Sequence, residues 1–185
     1  GAAAGETFPE IRDAVRRLCA QFPGAYWRAL DRDRIYPTEF VTALTEAGFL
    51  SVLIPEAYGG SGLGLAAATA VLEEIHRSGC NGGACHAQMY TMGTVLKHGS
   101  QAQKEAYLPK IASGEIRLQA FGVTEPTAGT DTTRISTFAK RVGDKYVVNG
   151  QKIWISRAEH SDLMVLLVRT TAREDAARPA DGMSV

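Results

Sequence analysis

The sequence predicts an α+β chain: an N-terminal all-α helical domain over residues 1–115, followed by an antiparallel β-domain over residues 116–185. Two observations carry this. Apolar residues recur at helical spacing up to Gly114, and the period then shortens to that of strands. A third sets its extent: Asp181-Gly-Met-Ser-Val185 reads as a strand just beginning, so the β-domain is expected to be incomplete, because a sheet stopping there leaves backbone edges unpaired.

The helices follow in order. Thr7-Phe-Pro-Glu10 fits a capping box ahead of Ile11, Val15, Leu18 and Phe22. Pro37 opens a second helix carrying Phe40, Val41 and Leu44, and Gly48 ends it. The glycine-rich connector Tyr58–Gly64 leads to a third with Ala68, Val71, Leu72 and Ile75, ending near Gly79. A fourth runs from about His86 to Leu96 and stops at Gly99. A fifth follows Ser100, carries Ala106, Tyr107 and Ile111, and stops at Gly114. Each has one apolar stripe, the pattern of helices packed on one another.

The strands follow the same logic. Ile116–Val123 and Ile135–Val142 are the first two, and Gly143-Asp144 turns the chain into Lys145–Val148. Asn149-Gly150 is a strong hairpin signal and predicts a further strand, Lys152-Ile-Trp-Ile-Ser156. Leu163–Arg169 adds another, which makes an antiparallel meander.

Composition narrows the function. The chain has 185 residues, 45% of them hydrophobic and 22% charged, as in ordinary globular proteins. No apolar run approaches the roughly 20 residues a membrane helix needs. Twenty Lys and Arg balance 20 Asp and Glu, so no net charge draws nucleic acid or anionic lipid. Three cysteines, Cys19, Cys80 and Cys85, are too few and odd in number for a disulfide scaffold and point to a reducing compartment. Cys80, Cys85 and His86 lack a second ligand pair at metal-binding spacing, so no metal site is assigned. Gly1-Ala-Ala-Ala-Gly5 has neither an initiator Met nor a basic region before an apolar core, and reads as a trimmed end rather than a signal peptide.

Two stretches stand apart from this scaffold. Phe121-Gly-Val-Thr-Glu-Pro-Thr-Ala-Gly-Thr-Asp131 leaves a strand into a turn whose small residues let amides approach an anion. Local chemistry alone favours a plain strand-ending turn capped by Thr and Asp. In Lys152–Ser156, Trp154 would cover a flat cofactor or pack across strands.

In this order and spacing the stretches resemble the acyl-CoA dehydrogenase family. The matching strings are Val-Thr-Glu-Pro at 123–126, Ala-Gly-Thr-Asp at 128–131, Val-Asn-Gly-Gln-Lys at 148–152 and Trp-Ile-Ser at 154–156. Ile54-Pro-Glu-x-Tyr-Gly-Gly60 and Gln103-Lys-x-x-Tyr-Leu-Pro109 complete six motifs in register, and the resemblance covers nearly the whole chain. It implies an FAD-dependent oxidoreductase that desaturates an acyl-CoA thioester to a trans-2-enoyl-CoA in fatty acid metabolism. Electron-transfer flavoprotein would be the acceptor and a homo-oligomer, tetramer or dimer, the working form. The compartment would be the cytoplasm in a bacterium or the mitochondrial matrix in a eukaryote.

The resemblance also implies site roles. Phe121, Val123 and Thr124 would lie along the isoalloxazine, with Thr124 bonded to its pyrimidine edge. Gly129 and Thr130 would meet the pyrophosphate side or the substrate's pantetheine. Trp154 and Ile155 would pass beside the rings, and the Ser156 hydroxyl would point at N5. Gln88, Met89, Tyr90 and Met92 would line the acyl cavity, although helical spacing explains them equally well as core. Phe121 stands where tyrosine is frequent, Thr127 where glycine is, Thr130 where serine is and Ser156 where threonine is. The Ser/Thr exchanges keep a hydroxyl, whereas Phe121 lacks a phenol. The family's catalytic glutamate belongs to a C-terminal helical domain outside this chain, so no catalytic residue is assigned. Glu73, Glu74, His86 and His98 are not promoted to that role. Acyl-CoA oxidases and flavin monooxygenases share the fold and remain alternatives, as does a catalytically incomplete flavin- or acyl-CoA-binding subunit.

Overall fold

The computed structural model describes residues 7–185; the reading of Gly1–Gly5 as a trimmed end lies outside them. The chain is α+β and divides into two compact units, residues 1–118 and 119–185.

Among the described residues the first unit contains six α-helices: α1 (Pro9–Cys19), α2 (Gly24–Asp33), α3 (Thr38–Glu46), α4 (Leu65–Arg77), α5 (Gly83–His98) and α6 (Gln101–Ser113). All five expected helices form, as α1 and α3 to α6; α1 carries Ile11, Val15 and Leu18 but ends at Cys19, short of Phe22. The capping box expected at α1 does not form. The residue preceding the helix is Phe8, at φ 56°, and no side chain caps the end. Thr7 therefore sits one residue too early to bond the first-turn amides, and its carbonyl instead accepts from Arg12 Nε at 2.7 Å. A true capping box occurs at α6, where Ser100 and Gln103 exchange bonds.

Helix α2 goes beyond the five helices that the apolar period predicts. Pro23 and Gly24 at its start read as loop punctuation, and none of its residues is fully buried. What holds it is aromatic packing. Phe22, just past α1, meets the rings of Tyr26 and Phe40 edge-on at 5.1 Å, and Trp27 meets Phe40 at 4.8 Å. These rings flank a core that includes Val15, Leu44, Leu50, Val71, Ile75 and Met89. Burying such side chains stabilises the unit by about 2 kcal/mol each. Across it, buried Arg12 of α1 pairs with buried Glu74 of α4 at 3.1 Å.

The second unit is built on strands β1 (Leu118–Gly122), β2 (Phe138–Val142), β3 (Lys145–Asn149), β4 (Leu163–Leu166), β5 (Val168–Arg169) and β6 (Met183–Ser184). They form a two-stranded sheet, β1-β4, and a four-stranded sheet in the order β3-β2-β5-β6. The β2–β3 hairpin turns at Gly143-Asp144, with Val142 opposite Lys145. The antiparallel meander is corrected in two respects. β5 runs parallel to β2, with Phe138 beside Arg169, and the stretch 163–169 is divided between the two sheets. The division falls at Leu167, whose N–H leaves for Gly122 O at 2.9 Å.

The strand expected over 152–156 is also corrected: these residues belong to no sheet. Gly150 does not turn a hairpin there. Its backbone passes so close to Thr137 that an added Cβ would lie 2.6 Å from the Thr137 Cα. Trp154 then takes a left-handed φ of 61°, which no strand tolerates.

Candidate functional site

The 121–131 segment begins as the last residues of β1 and leaves it at Val123. A Cβ on Gly122 at that exit would meet the side-chain ends of Leu166 and Met164 at 2.8 and 3.0 Å, so a larger residue there would make those side chains shift. The segment then closes on itself. Glu125 N–H donates to Ala128 O at 2.9 Å, and Ala128 N–H returns to Glu125 O at 3.1 Å. At its end the Asp131 carboxylate accepts from the hydroxyl and amide of Thr133, bonds that hold its carboxyl below the usual range.

Residues 152–156 run alongside as a strap. Ile153 N–H donates to Thr124 O at 2.9 Å. One residue away, Lys152 Nζ reaches both Val123 O and Glu125 Oε1, each at 2.9 Å. Further along, Arg157 Nε donates to Gln119 O at 3.1 Å. The strap's alternation predicts a strand, yet its lysine is turned inward to a buried carboxylate, and that pairing replaces ladder hydrogen bonds.

Glu125 is the hub. It is 3% exposed. Its Oε2 accepts from the Ser136 amide at 2.7 Å and the Ser136 hydroxyl at 3.0 Å, and its Oε1 accepts from the Thr137 amide at 3.0 Å. Burial alone would push the carboxyl up. The Ser136 amide, the Thr137 side chain and amide, and the Lys152 ammonium more than offset this and hold it at about 2. The Thr137 hydroxyl oxygen itself is buried with no hydrogen-bond partner among the described residues. Sequence pattern alone gives neither Glu125 nor Lys152 a role, although both lie inside the family motifs. The available signal was an acidic residue in a tight turn answered by a lysine on an otherwise apolar strap.

The predicted cofactor residues are distributed along these two segments. Phe121, Val123, Thr124 and Ile155 are half-buried; Gly129, Thr130 and Ser156 are exposed; Trp154 is 86% exposed. The hydroxyls of Thr124, Thr130 and Ser156 make no hydrogen bond to the described residues. Nothing stands within 4 Å of the space a Cβ on Gly129 would take. Backbone openness, unspent hydroxyls and an exposed indole are the chemistry a flavin would meet, so the residues present fit the group.

The predicted acyl-cavity residues belong to α5, in the other unit. Met89 and Met92 are buried, Gln88 Nε2 donates to Leu50 O at 3.2 Å, and exposed Tyr90 meets the His86 ring edge-on. Of the side chains left without a role, Glu74 is 1% exposed and paired with arginines, whereas Glu73 is exposed and bonded to Arg12 at 2.7 Å. Burial pushes the Cys19 and Cys85 thiols up to about 12, so neither is a nucleophile near neutral pH. No three His, Cys, Asp or Glu among the described residues gather as a metal site. No described helix is long and apolar enough to cross a membrane.

Comparison with known proteins bears directly on this arrangement. The family profile for the acyl-CoA dehydrogenase N-terminal domain matches residues 6–115, and that for the middle domain matches residues 120–185. The chain is 40% identical to (2S)-methylsuccinyl-CoA dehydrogenase of Cereibacter sphaeroides over 169 residues, 89% of this chain and 30% of that one. It is 36% identical to glutaryl-CoA dehydrogenase of Desulfococcus multivorans over 181 residues, 95% of this chain and 44% of that one. The crystal structure of acyl-CoA dehydrogenase from Geobacillus kaustophilus superposes with a TM-score of 0.85 at 30% identity, covering 98% of this chain and 48% of that one. The chain thus spans less than half the length of each of these relatives. Six motifs in register, a helical unit followed by a strand unit, and both domain profiles agree: the chain belongs to the acyl-CoA dehydrogenase family.

Proposed function

We propose that this chain supplies the flavin wall and part of the acyl-binding framework of an FAD-dependent oxidoreductase that desaturates acyl-CoA thioesters to trans-2-enoyl-CoA. The observation that carries this is the juxtaposition of the 123–131 turn and the 152–156 strap, bonded together at Thr124 and Ile153 with their hydroxyls unspent. The chemistry supplied by bound FAD is acceptance of the β-hydride, and the protein's part is orientation and exclusion of water. Thr124 and Ser156 would hydrogen-bond the isoalloxazine, and Phe121, Val123, Trp154 and Ile155 would pack along it. Gly129 and Thr130 would meet the pyrophosphate or the pantetheine. Along α5, Gln88, Met89 and Met92 would set the position of the acyl wall while Tyr90 limits chain length. Removal of the α-proton is assigned to no residue of this chain.

The whole protein is read as a homo-oligomer that passes electrons to an electron-transfer flavoprotein, in a bacterial cytoplasm or a mitochondrial matrix. The test is titration of the purified chain with FAD, followed by quenching of flavin fluorescence. Saturable binding that weakens in Ser156→Ala and Thr130→Ala supports the assignment, and unchanged binding in both variants removes it. Reoxidation of substrate-reduced enzyme by air, with no need for the flavoprotein acceptor, would reassign the protein to the oxidases.

A further inference from the structure

We propose that Glu125 and Lys152 form a positioning clamp, holding the 152–156 strap in register with the 123–131 turn so that flavin retention depends on their mutual ion pair. The inference rests on the flavin reading above and concerns how that wall is held together. Residues 152–156 belong to no sheet, so no ladder sets their register. Their direct ties to the turn lie side by side: Ile153 N–H to Thr124 O, and Lys152 Nζ to Val123 O and Glu125 Oε1, all at 2.9 Å. Attachment at neighbouring residues on both segments fixes sliding and rotation together. Thr124, which is itself tied, and Trp154 and Ser156, which follow the tied Ile153, are those that would face the flavin.

The clamp is also anchored from behind. The Glu125 carboxylate accepts from Ser136 and Thr137, so the strap, the turn and the 136–137 pair meet at one buried group. A lysine is suited to this task because its ammonium has three donors, of which the Val123 carbonyl and the Glu125 carboxylate take two. With no direct contact to the cofactor, Glu125 and Lys152 are positioning residues. The low carboxyl value of Glu125 keeps the ion pair formed through the neutral range.

Three variants test this: Glu125→Gln, Lys152→Met, and the two combined. Each is measured for thermal midpoint without FAD and for FAD affinity by fluorescence quenching at neutral pH. Either single change is expected to weaken FAD binding about ten- to a hundredfold, the scale on which supporting partners tune a site. The combined change removes both buried charges and should recover much of the thermal midpoint lost by Lys152→Met. FAD affinity should stay low in it, because the directional tie from strap to turn is still missing. A double variant that regains stability and FAD affinity together would overturn the clamp and leave a purely structural ion pair. Single variants that lose stability while binding FAD as the parent does would overturn it too. A parent chain that binds no FAD at all overturns the flavin reading itself, and the clamp's role with it.

Discussion

Each of the two units buries a glutamate, and the two are neutralised in different ways. In the helical unit Glu74 faces an excess of arginine: Arg12 at 3.1 Å, Arg77 at 3.4 Å and Arg16 at 3.6 Å, with Glu73 sharing Arg12. In the strand unit Glu125 has one cation, Lys152, and completes its shell with the Ser136 and Thr137 groups. The first arrangement is redundant and joins two helices already held by a core. The second has no spare cation and holds a segment that no sheet supports. A buried charge thus serves packing in one unit and register in the other.

That contrast can be broken experimentally, beginning where the effect is largest. Lys152→Met leaves Glu125 buried without its cation and should cost about 4 kcal/mol of stability, read from the denaturant midpoint. A loss as small as that of a surface substitution would erase the distinction between the units. Acid should act on the same group more gently. The carboxyl of Glu125 is held at about 2 against an ordinary value of 4.5, so its contribution is complete above about pH 4.5 and fades as pH falls toward 2. The effect is smaller than that of Lys152→Met, because a protonated carboxyl still accepts hydrogen bonds from Ser136 and Thr137. Comparing the acid unfolding of the parent with that of Glu125→Gln checks this, and the variant should lack that part of the slope.

Arg12→Ala should cost less than Lys152→Met, about 2 kcal/mol, since Arg16 and Arg77 remain beside Glu74. A larger loss than Lys152→Met causes would reverse the comparison. Smallest is Ser156→Ala, whose exposed hydroxyl should leave stability unchanged and reduce FAD affinity only several-fold, about 1 kcal/mol. Thermal melts with and without FAD separate these two quantities.

The legibility of the chain divides along the same line. Helices α3 to α6 declared themselves because a packed helix must repeat its apolar face every three to four residues, and Gly48, Gly79, Gly99 and Gly114 punctuate them. Helix α2 escapes because it starts at Pro23-Gly24 and packs through aromatic faces rather than an aliphatic stripe. In the strand unit, Lys-Ile-Trp-Ile-Ser alternates as a strand should, but periodicity cannot register that Lys152 has a carboxylate waiting inside. Nor does it show that β5 joins β2 in parallel, a pairing set by where the chain is carried after Leu167. The proposed flavin residues were legible only as motifs. Their neighbours Glu125 and Lys152, which bond those motifs together, became visible only once the turn and the strap were seen side by side.

The chain contains two tryptophans, Trp27 and Trp154. Trp27 is tied by its indole N–H to Phe22 O and sits among the rings of Tyr26 and Phe40, whereas Trp154 stands almost wholly in water on the strap. Red-edge emission, and most of the signal open to a collisional quencher such as iodide, should therefore come from Trp154. The strap carries its own optical label: anything that settles on it should shield that indole and shift its emission to the blue, leaving the Trp27 signal as an internal standard.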